Sequence, residues 1–249
     1  LQDIIPAIAG KLKFRPVIVE KDYYLTVILN NIEKLLSDKI VFKGGTLLNK
    51  VHLNYHRLSE DLDFTLKLPS DNSTRVMRRN AIKPIKEKLK AFLKNFDMSI
   101  EDIEKAGHRE STQYIFYLDY DSVVLNKKES IKLEIGLRFN PILPAVTKKV
   151  NHKFLHPFTK EPLFDGGSVS CLSIKELVAE KMRAAATREM IAGRDFYDLG
   201  YLLKEKFDFI IGNPPYVTLN NSKDFDPSES MYSQVIQGPV NAATLMIGK

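Results

Sequence analysis

The stretch "IKLEIGLRF", residues 131 to 139, alternates apolar and polar side chains. Ile131, Leu133, Ile135 and Leu137 fall on one side of an extended chain, and Lys132, Glu134, Gly136 and Arg138 fall on the other. Such a segment needs a sheet with one face covered, so this chain must build a sheet and supply its cover. "TQYIFYLDYDS" and "LDFTLKL" are further strand candidates, the second ending before Pro69 and the turn-like "PSDNS". "KIVFKGG" predicts a short strand running into a glycine turn, after which "TLLNKVHL" restarts as a helix. Helices supply the cover. Residues 17 to 36 repeat Ile18, Tyr24, Leu25, Ile28, Leu29 and Ile32 at helical spacing. "RVMRRNAIKPIKEKLKAFLK" has the same spacing around a basic face. After a proline-rich, basic loop from 140 to 167 comes "CLSIKELVAEKMRAAATR", with Ser173 as N-cap and Glu176 as the other half of a capping box. "RDFYDLGYLLKEK" follows as a last helix. The order predicts an α/β core followed by a helical C-terminal subdomain.

At 249 residues the chain can hold one large domain, or one domain with an appendage. Its 44% hydrophobic and 27% charged residues are ordinary for a soluble globular protein. No apolar run approaches the roughly 18–20 residues that span a membrane, so no membrane partner is expected. The first residues lack the apolar core of a secretory signal. They begin at Leu1 rather than Met, so further residues are expected upstream. The single cysteine, Cys171, excludes an internal disulfide and a multi-cysteine zinc site, and reads as a small buried residue. A cytoplasmic location fits these features. The net charge of +6 is compatible with an anionic partner such as nucleotide, RNA or DNA. Much of it lies between Arg75 and Lys94, where a solvated helix surface is the favoured reading over a nucleic-acid contact.

Three short stretches carry chemistry. In "FKGGTLLNK", Gly44 and Gly45 lie between strand and helix, where the backbone can approach a phosphate closely. Lys43 can add charge and Thr46 a hydroxyl. The spacing is not that of a Walker A loop. In "RLSEDLDF", Asp61 and Asp63 are two apart on a strand and share a face, opposite Leu62 and Phe64. Two such carboxylates suit Mg²⁺, a hard cation that prefers oxygen ligands. Without a cation they would raise each other's pKa. Glu60 points to the other side. Glu134 completes a carboxylate triad for metal-assisted nucleotidyl transfer if its strand pairs near "DLDF"; otherwise it is an exposed glutamate on an edge strand. His52 and His56 are four apart but lack the glutamate of a zinc hydrolase motif, and His152 and His156 repeat the spacing in a loop.

Taken together and in order, "EKDYYLTVIL", "FKGGTLLNK", "RLSEDLDF" and "IKELVAEKMRAAATREMIAGRDFYDL" resemble the AbiEii-type nucleotidyltransferase family, toxins of type IV toxin–antitoxin and abortive-infection systems. The resemblance runs from about residue 14 to 204. It implies a polymerase-beta-like nucleotidyltransferase core, a mixed sheet with flanking helices, over about 14–140. A helical part over about 168–204 would complete a domain spanning 1–204. It also implies a phage-defence toxin that uses Mg²⁺ and an NTP. An RNA acceptor, transfer RNA foremost, and a cognate antitoxin protein would be its partners. On this resemblance Gly44, Gly45 and Thr46, with Lys43, hold the triphosphate. Asp61 and Asp63 are the catalytic metal pair, with Glu134 as third ligand. Lys181 contacts the nucleotide and Asp195 is a second catalytic acid, with helix capping and ion pairing as the alternative for Arg194 and Asp195. Arg57, Lys21, Arg188 and Arg194 sit in matching blocks; of these, Arg57 and Arg188 are expected at the nucleotide. Lys181 and Arg188, seven apart, also share one helical face. Asp198 reads as structural.

From residue 205 the character changes. "FDFIIGNPPYVTL" resembles the catalytic loop of N6-adenine DNA methyltransferases, with Asn213, Pro214, Pro215 and Tyr216 matching its Asn-Pro-Pro-Tyr. No glycine-rich S-adenosylmethionine loop precedes it. Residues 205–249 are therefore expected to be a truncated or chimeric tail without methyltransferase activity. An inactive nucleic-acid-binding or fragment protein of a restriction–modification system is the alternative for the whole chain.

Overall fold

A computed structural model describes residues 1–36, 39–70, 72–156, 158–188 and 192–204. The chain divides into two compact units, Leu1–Glu176 and Leu177–Lys249. The tail that resembles a methyltransferase loop lies outside the described residues.

The first unit is an α/β fold on an eight-stranded mixed sheet. Two helices open it, α1 (Ile4–Leu12) and α2 (Pro16–Leu36). Then come β1 (Ile40–Lys43), the short α3 (Gly44–Leu47) and β2 (Asp61–Leu66). The helix α4 (Arg75–Lys94) is followed by the two-residue strands β3 (Ser99–Ile100) and β4 (Gly107–His108). The long hairpin β5 (Gln113–Ser122) and β6 (Lys127–Gly136), then β7 (Val146–Lys149) and β8 (Ser168–Cys171), complete the sheet. Its order is β3-β5-β6-β2-β1-β8-β7, with β4 also on β5. β2 runs parallel to β6 and antiparallel to β1, and β1 runs parallel to β8.

The alternation predicted for 131–139 is realised. Ile131, Leu133, Ile135 and Leu137 are buried, as are Leu62 and Phe64 of β2 and Tyr114, Phe116 and Leu118 of β5. α4 buries Ile82, Ile85, Leu89, Phe92 and Leu93 and leaves its basic face outside. Thr74 caps it, its hydroxyl oxygen accepting the Met77 N–H at 3.3 Å.

Three expectations are corrected. The glycine pair does not form a turn before the helix: α3 starts at Gly44 itself and continues into a wider, π-helical turn over Leu48–His52. The stretch from 140 to 167 is not all loop, because β7 lies within it. The capping box forms by half: the Glu176 N–H donates to Ser173 Oγ at 3.3 Å, while the Glu176 carboxylate accepts the Ile142 and Leu143 N–H groups at 2.7 and 3.0 Å.

A buried polar knot ties α2 to the segment behind the glycine pair. Lys50, in the π-helical turn, is wholly buried. Its ammonium lies 2.8 Å from Asp22 Oδ1 of α2 and donates to Thr26 Oγ1 and Tyr55 Oη, each at 2.8 Å. The Tyr55 hydroxyl donates to Asp22 Oδ2 at 2.9 Å. Burial lowers the Lys50 pKa, and the Asp22 carboxylate pulls it back up. A second tie is Glu20, also wholly buried, which accepts the Ser122 hydroxyl at 2.5 Å and the Val123 N–H at 2.7 Å. α2 thus fixes both the glycine junction and the end of the β5–β6 hairpin.

The second unit holds α5 (Ile174–Thr187), whose first turn belongs to the first unit, and α6 (Gly193–Lys204).

Candidate active site

Strand register brings the predicted carboxylates together on the sheet face opposite the core. Lys43 on β1 pairs with Asp63 on β2, and Asp63 with Glu134 on β6. The neighbouring row is Asp61 on β2, Lys132 on β6 and Tyr117 on β5. Side chains directly opposite on neighbouring strands lie about 4.5–5.5 Å apart at Cβ. Glu134 therefore stands beside Asp63 in the middle of the sheet, not on an edge strand.

The electrostatics agree with this placement. Burial, then the charge of Glu134, push the Asp63 carboxyl up to about 6, against the pull of Lys43. Glu134 moves the other way. Burial would raise it, but hydrogen bonds from Lys132 and Gln113 hold it below the usual range. The Lys132 ammonium sits 2.9 Å from Glu134 Oε2. Burial presses Lys132 down, yet Glu134 and then Asp61 and Asp63 leave it above the ordinary lysine value.

The glycines have specific steric reasons. Gly44 has φ +81°, and a Cβ there would lie 2.3 Å from Asp63 Oδ2. Asp63 thus packs its carboxylate against the start of α3, in space that any side chain at position 44 would take. A Cβ on Gly45 would lie 2.6 Å from Arg57 Nη2 and 3.2 Å from Ser59 Oγ, so the Arg57 guanidinium lies against this glycine. Arg57 also donates to the Leu58 carbonyl at 3.0 Å. Thr46 is buried, and its hydroxyl donates to the Asp61 carbonyl oxygen. That side chain locks α3 to the start of β2, so its structural part is to position Asp61.

Lys21 pairs with Glu60 at 3.1 Å, tying α2 to the residue before β2. Among the described residues, no three His, Cys, Asp or Glu side chains converge closely enough to hold a metal ion by themselves. Asp61 and Asp63 therefore remain a two-carboxylate candidate, with Glu134 beside them and engaged by Lys132. His152 donates its Nε2–H to the Phe164 carbonyl oxygen, 2.8 Å away, and sits in a ring cluster with Phe154 and Phe164.

The remaining candidates lie in the second unit and gather there on one another. The Lys181 ammonium is 3.0 Å from Asp195 Oδ1 and 2.9 Å from Asp198 Oδ2. Arg188 reaches Asp195 Oδ2 at 2.9 Å. Both carboxylates are almost fully buried. Lys181 and Arg188 do share a face, as their spacing predicts, and they meet at Asp195. Arg194 is exposed beside this network.

Sequence reasoning missed Lys132, Tyr117 and the Asp22–Lys50–Tyr55 knot. Alternation places Lys132 on the same face as Glu134, but only the register shows that it faces Asp61.

A family model described as "Nucleotidyl transferase AbiEii toxin, Type IV TA system" matches residues 27–213. The match runs past the last described helix to Asn213, the first residue of the methyltransferase-like motif. Among solved structures, MenT4, a nucleotidyltransferase toxin from Mycobacterium tuberculosis H37Rv, is similar with a TM-score of 0.58 at 18% identity, over 84% of this chain and 66% of that one. JHP933 from Helicobacter pylori is similar at 19% identity with a TM-score of 0.47, over 75% of this chain and 66% of that one. The chain thus spans just under two thirds of the length of either. The likeness to MenT4 is one of fold. No curated protein sequence matches the chain.

Proposed function

The chain belongs to the AbiEii nucleotidyltransferase toxin family of type IV toxin–antitoxin systems, and from that premise we propose that it transfers a nucleoside monophosphate from an NTP to an acceptor hydroxyl. Transfer RNA is the foremost acceptor in this reading, a cognate antitoxin its protein partner, and phage defence its setting. The observation that carries it is the row Lys43–Asp63–Glu134 beside Asp61, at the junction where α3 begins with two glycines.

The donor set suits Mg²⁺: all-oxygen carboxylates, with Asp63 held above its normal pKa by burial and then by the charge of Glu134. Asp61 and Asp63 would hold the ion, with Glu134 beside them and paired to Lys132 rather than converging as a third ligand. When bound, it supplies charge stabilisation to the phosphoryl group. The chain's own residues do the rest. Lys43 and Arg57, with the bare backbone at Gly44 and Gly45, orient the triphosphate. The acceptor oxygen forms a bond to the α-phosphorus, the bond to pyrophosphate breaks, and the hydroxyl proton passes to a carboxylate of the row. Lys132 keeps Glu134 ionised and aimed beside Asp63. Lys181, Arg188 and Asp195 are assigned to the nucleotide on the family resemblance alone.

Incubation of the protein with labelled NTPs, Mg²⁺ and a total RNA pool tests the reading. Label should enter a discrete RNA class, and Asp61→Ala/Asp63→Ala should abolish it. Incorporation that survives the double substitution would overturn the assigned site.

A further inference from the structure

The basic face of α4 is not simply a convex, solvated surface. It forms one wall of a groove of about 630 Å³, whose other wall is the segment around residues 103–107 and whose floor includes Tyr114. Arg75, Arg79, Lys83 and Lys90 recur along the groove and are exposed. None of the four makes an ion pair among the described residues. The stripe from 75 to 90 is about 22 Å long at 1.5 Å per helical residue. Lys86 joins the two walls: its ammonium is 3.0 Å from Glu104 Oε2 and lies over the Tyr114 ring, 5.7 Å from the centroid. A Cβ on Gly107 would come within 3.1 Å of Tyr114 Cε1, so the far wall packs closely onto the floor at this glycine. Lysines and arginines outnumber the two acids of the lining, Glu87 and Glu104, and Arg75, Arg79, Lys83 and Lys90 lie on one side.

We propose that this groove docks a single nucleic-acid strand through its phosphates, at Arg75, Arg79, Lys83 and Lys90. The choice of RNA over DNA rests on the transferase reading above. An acidic protein fits less well. Protein interfaces are built around buried apolar anchors and are poor in lysine. Here the exposed apolar lining is Val76 alone, and lysine and arginine dominate. Phosphate contact needs only spaced cations. The floor strand β5 turns Tyr114 toward the groove and Ile115 toward Glu134, so groove and carboxylate row share a strand.

The test uses the full chain and a labelled oligoribonucleotide, with binding followed by fluorescence anisotropy across a KCl series. Arg79→Gln/Lys83→Gln/Lys90→Gln should weaken binding at least about tenfold near 100 mM salt and flatten the log–log salt slope by about 2, since each single-strand phosphate contact contributes about 0.7. Lys88→Gln/Lys94→Gln, exposed on the same helix outside the groove, should change affinity by no more than about twofold. Equal losses in both variants, or an unchanged slope in the first, would overturn the proposal. So would displacement of RNA by polyglutamate as readily as by unlabelled RNA, which would point to an acidic protein. Displacement by DNA as readily as by RNA would keep the groove and drop the RNA preference. A protein that shows this groove-dependent binding yet transfers no nucleotide would sink the transferase reading and leave the groove standing.

Discussion

Asp63 ionises against its surroundings, and that has a measurable sign. Its folded pKa of about 6 lies above the ordinary 3.8, so the metal-free fold bears no penalty below pH 3.8, loses stability as pH rises to 6, and carries the full cost above. Asp63→Asn should therefore stabilise the metal-free protein at pH 7.5 by about 1–3 kcal/mol. The gain should vanish below about pH 4. Urea unfolding at several pH values reads both. Gly44→Ala should act in the opposite direction. A methyl group at φ +81°, 2.3 Å from Asp63 Oδ2, must displace the carboxylate or the start of α3. A loss of more than about 2 kcal/mol in the same unfolding assay is expected, with loss of nucleotidyl transfer.

Among the elements, α2 ties down the segments around the site. Lys50→Ala leaves the Asp22 carboxylate buried and without its cation, and should cost about 3–5 kcal/mol by chemical denaturation. Replacing Asp22 as well should restore part of that loss, because the knot would no longer hold a lone charge. None of this was legible in the sequence, where Asp22 and Lys50 look like ordinary charges on helices. What was legible followed from periodicity. The alternation of 131–139, the spacing of 17–36 and the apolar stripe of 75–94 each gave an element of the right type. Asp61 and Asp63 were placed on one face by the period of a strand alone. The third carboxylate was not, because Glu134 reaches Asp63 through strand register, and register is decided by distant packing. β7 and β8 were hidden for a different reason. They are four residues each, and β7 is largely exposed, so no long apolar pattern marks them. Glu176 shows the same limit: its helical spacing suggested a cap, and the polypeptide at Ile142 and Leu143 took its oxygens instead.

For the molecule as a whole, the prediction concerns ion linkage. An ion that binds only the folded chain raises its melting temperature in proportion to the logarithm of its concentration over Kd. Added Mg²⁺ should raise the melting temperature of the wild type. Asp61→Asn/Asp63→Asn should start higher and respond little. An equal shift in both would place the ion elsewhere. The sheet order carries one more implication. β1, which leads into the glycine junction, pairs on one side with β2 and on the other with β8, so Phe42 finds its outer neighbour only at Cys171. During synthesis, β1, β2 and β6 emerge well before β8. Until then β1, which carries Lys43 of the candidate row, presents an unpaired edge, the kind of surface that invites aggregation and quality control. A premature stop or frameshift upstream of β8 would therefore leave a nascent chain with an open seam next to its candidate site, and such a product should be a target for proteolysis.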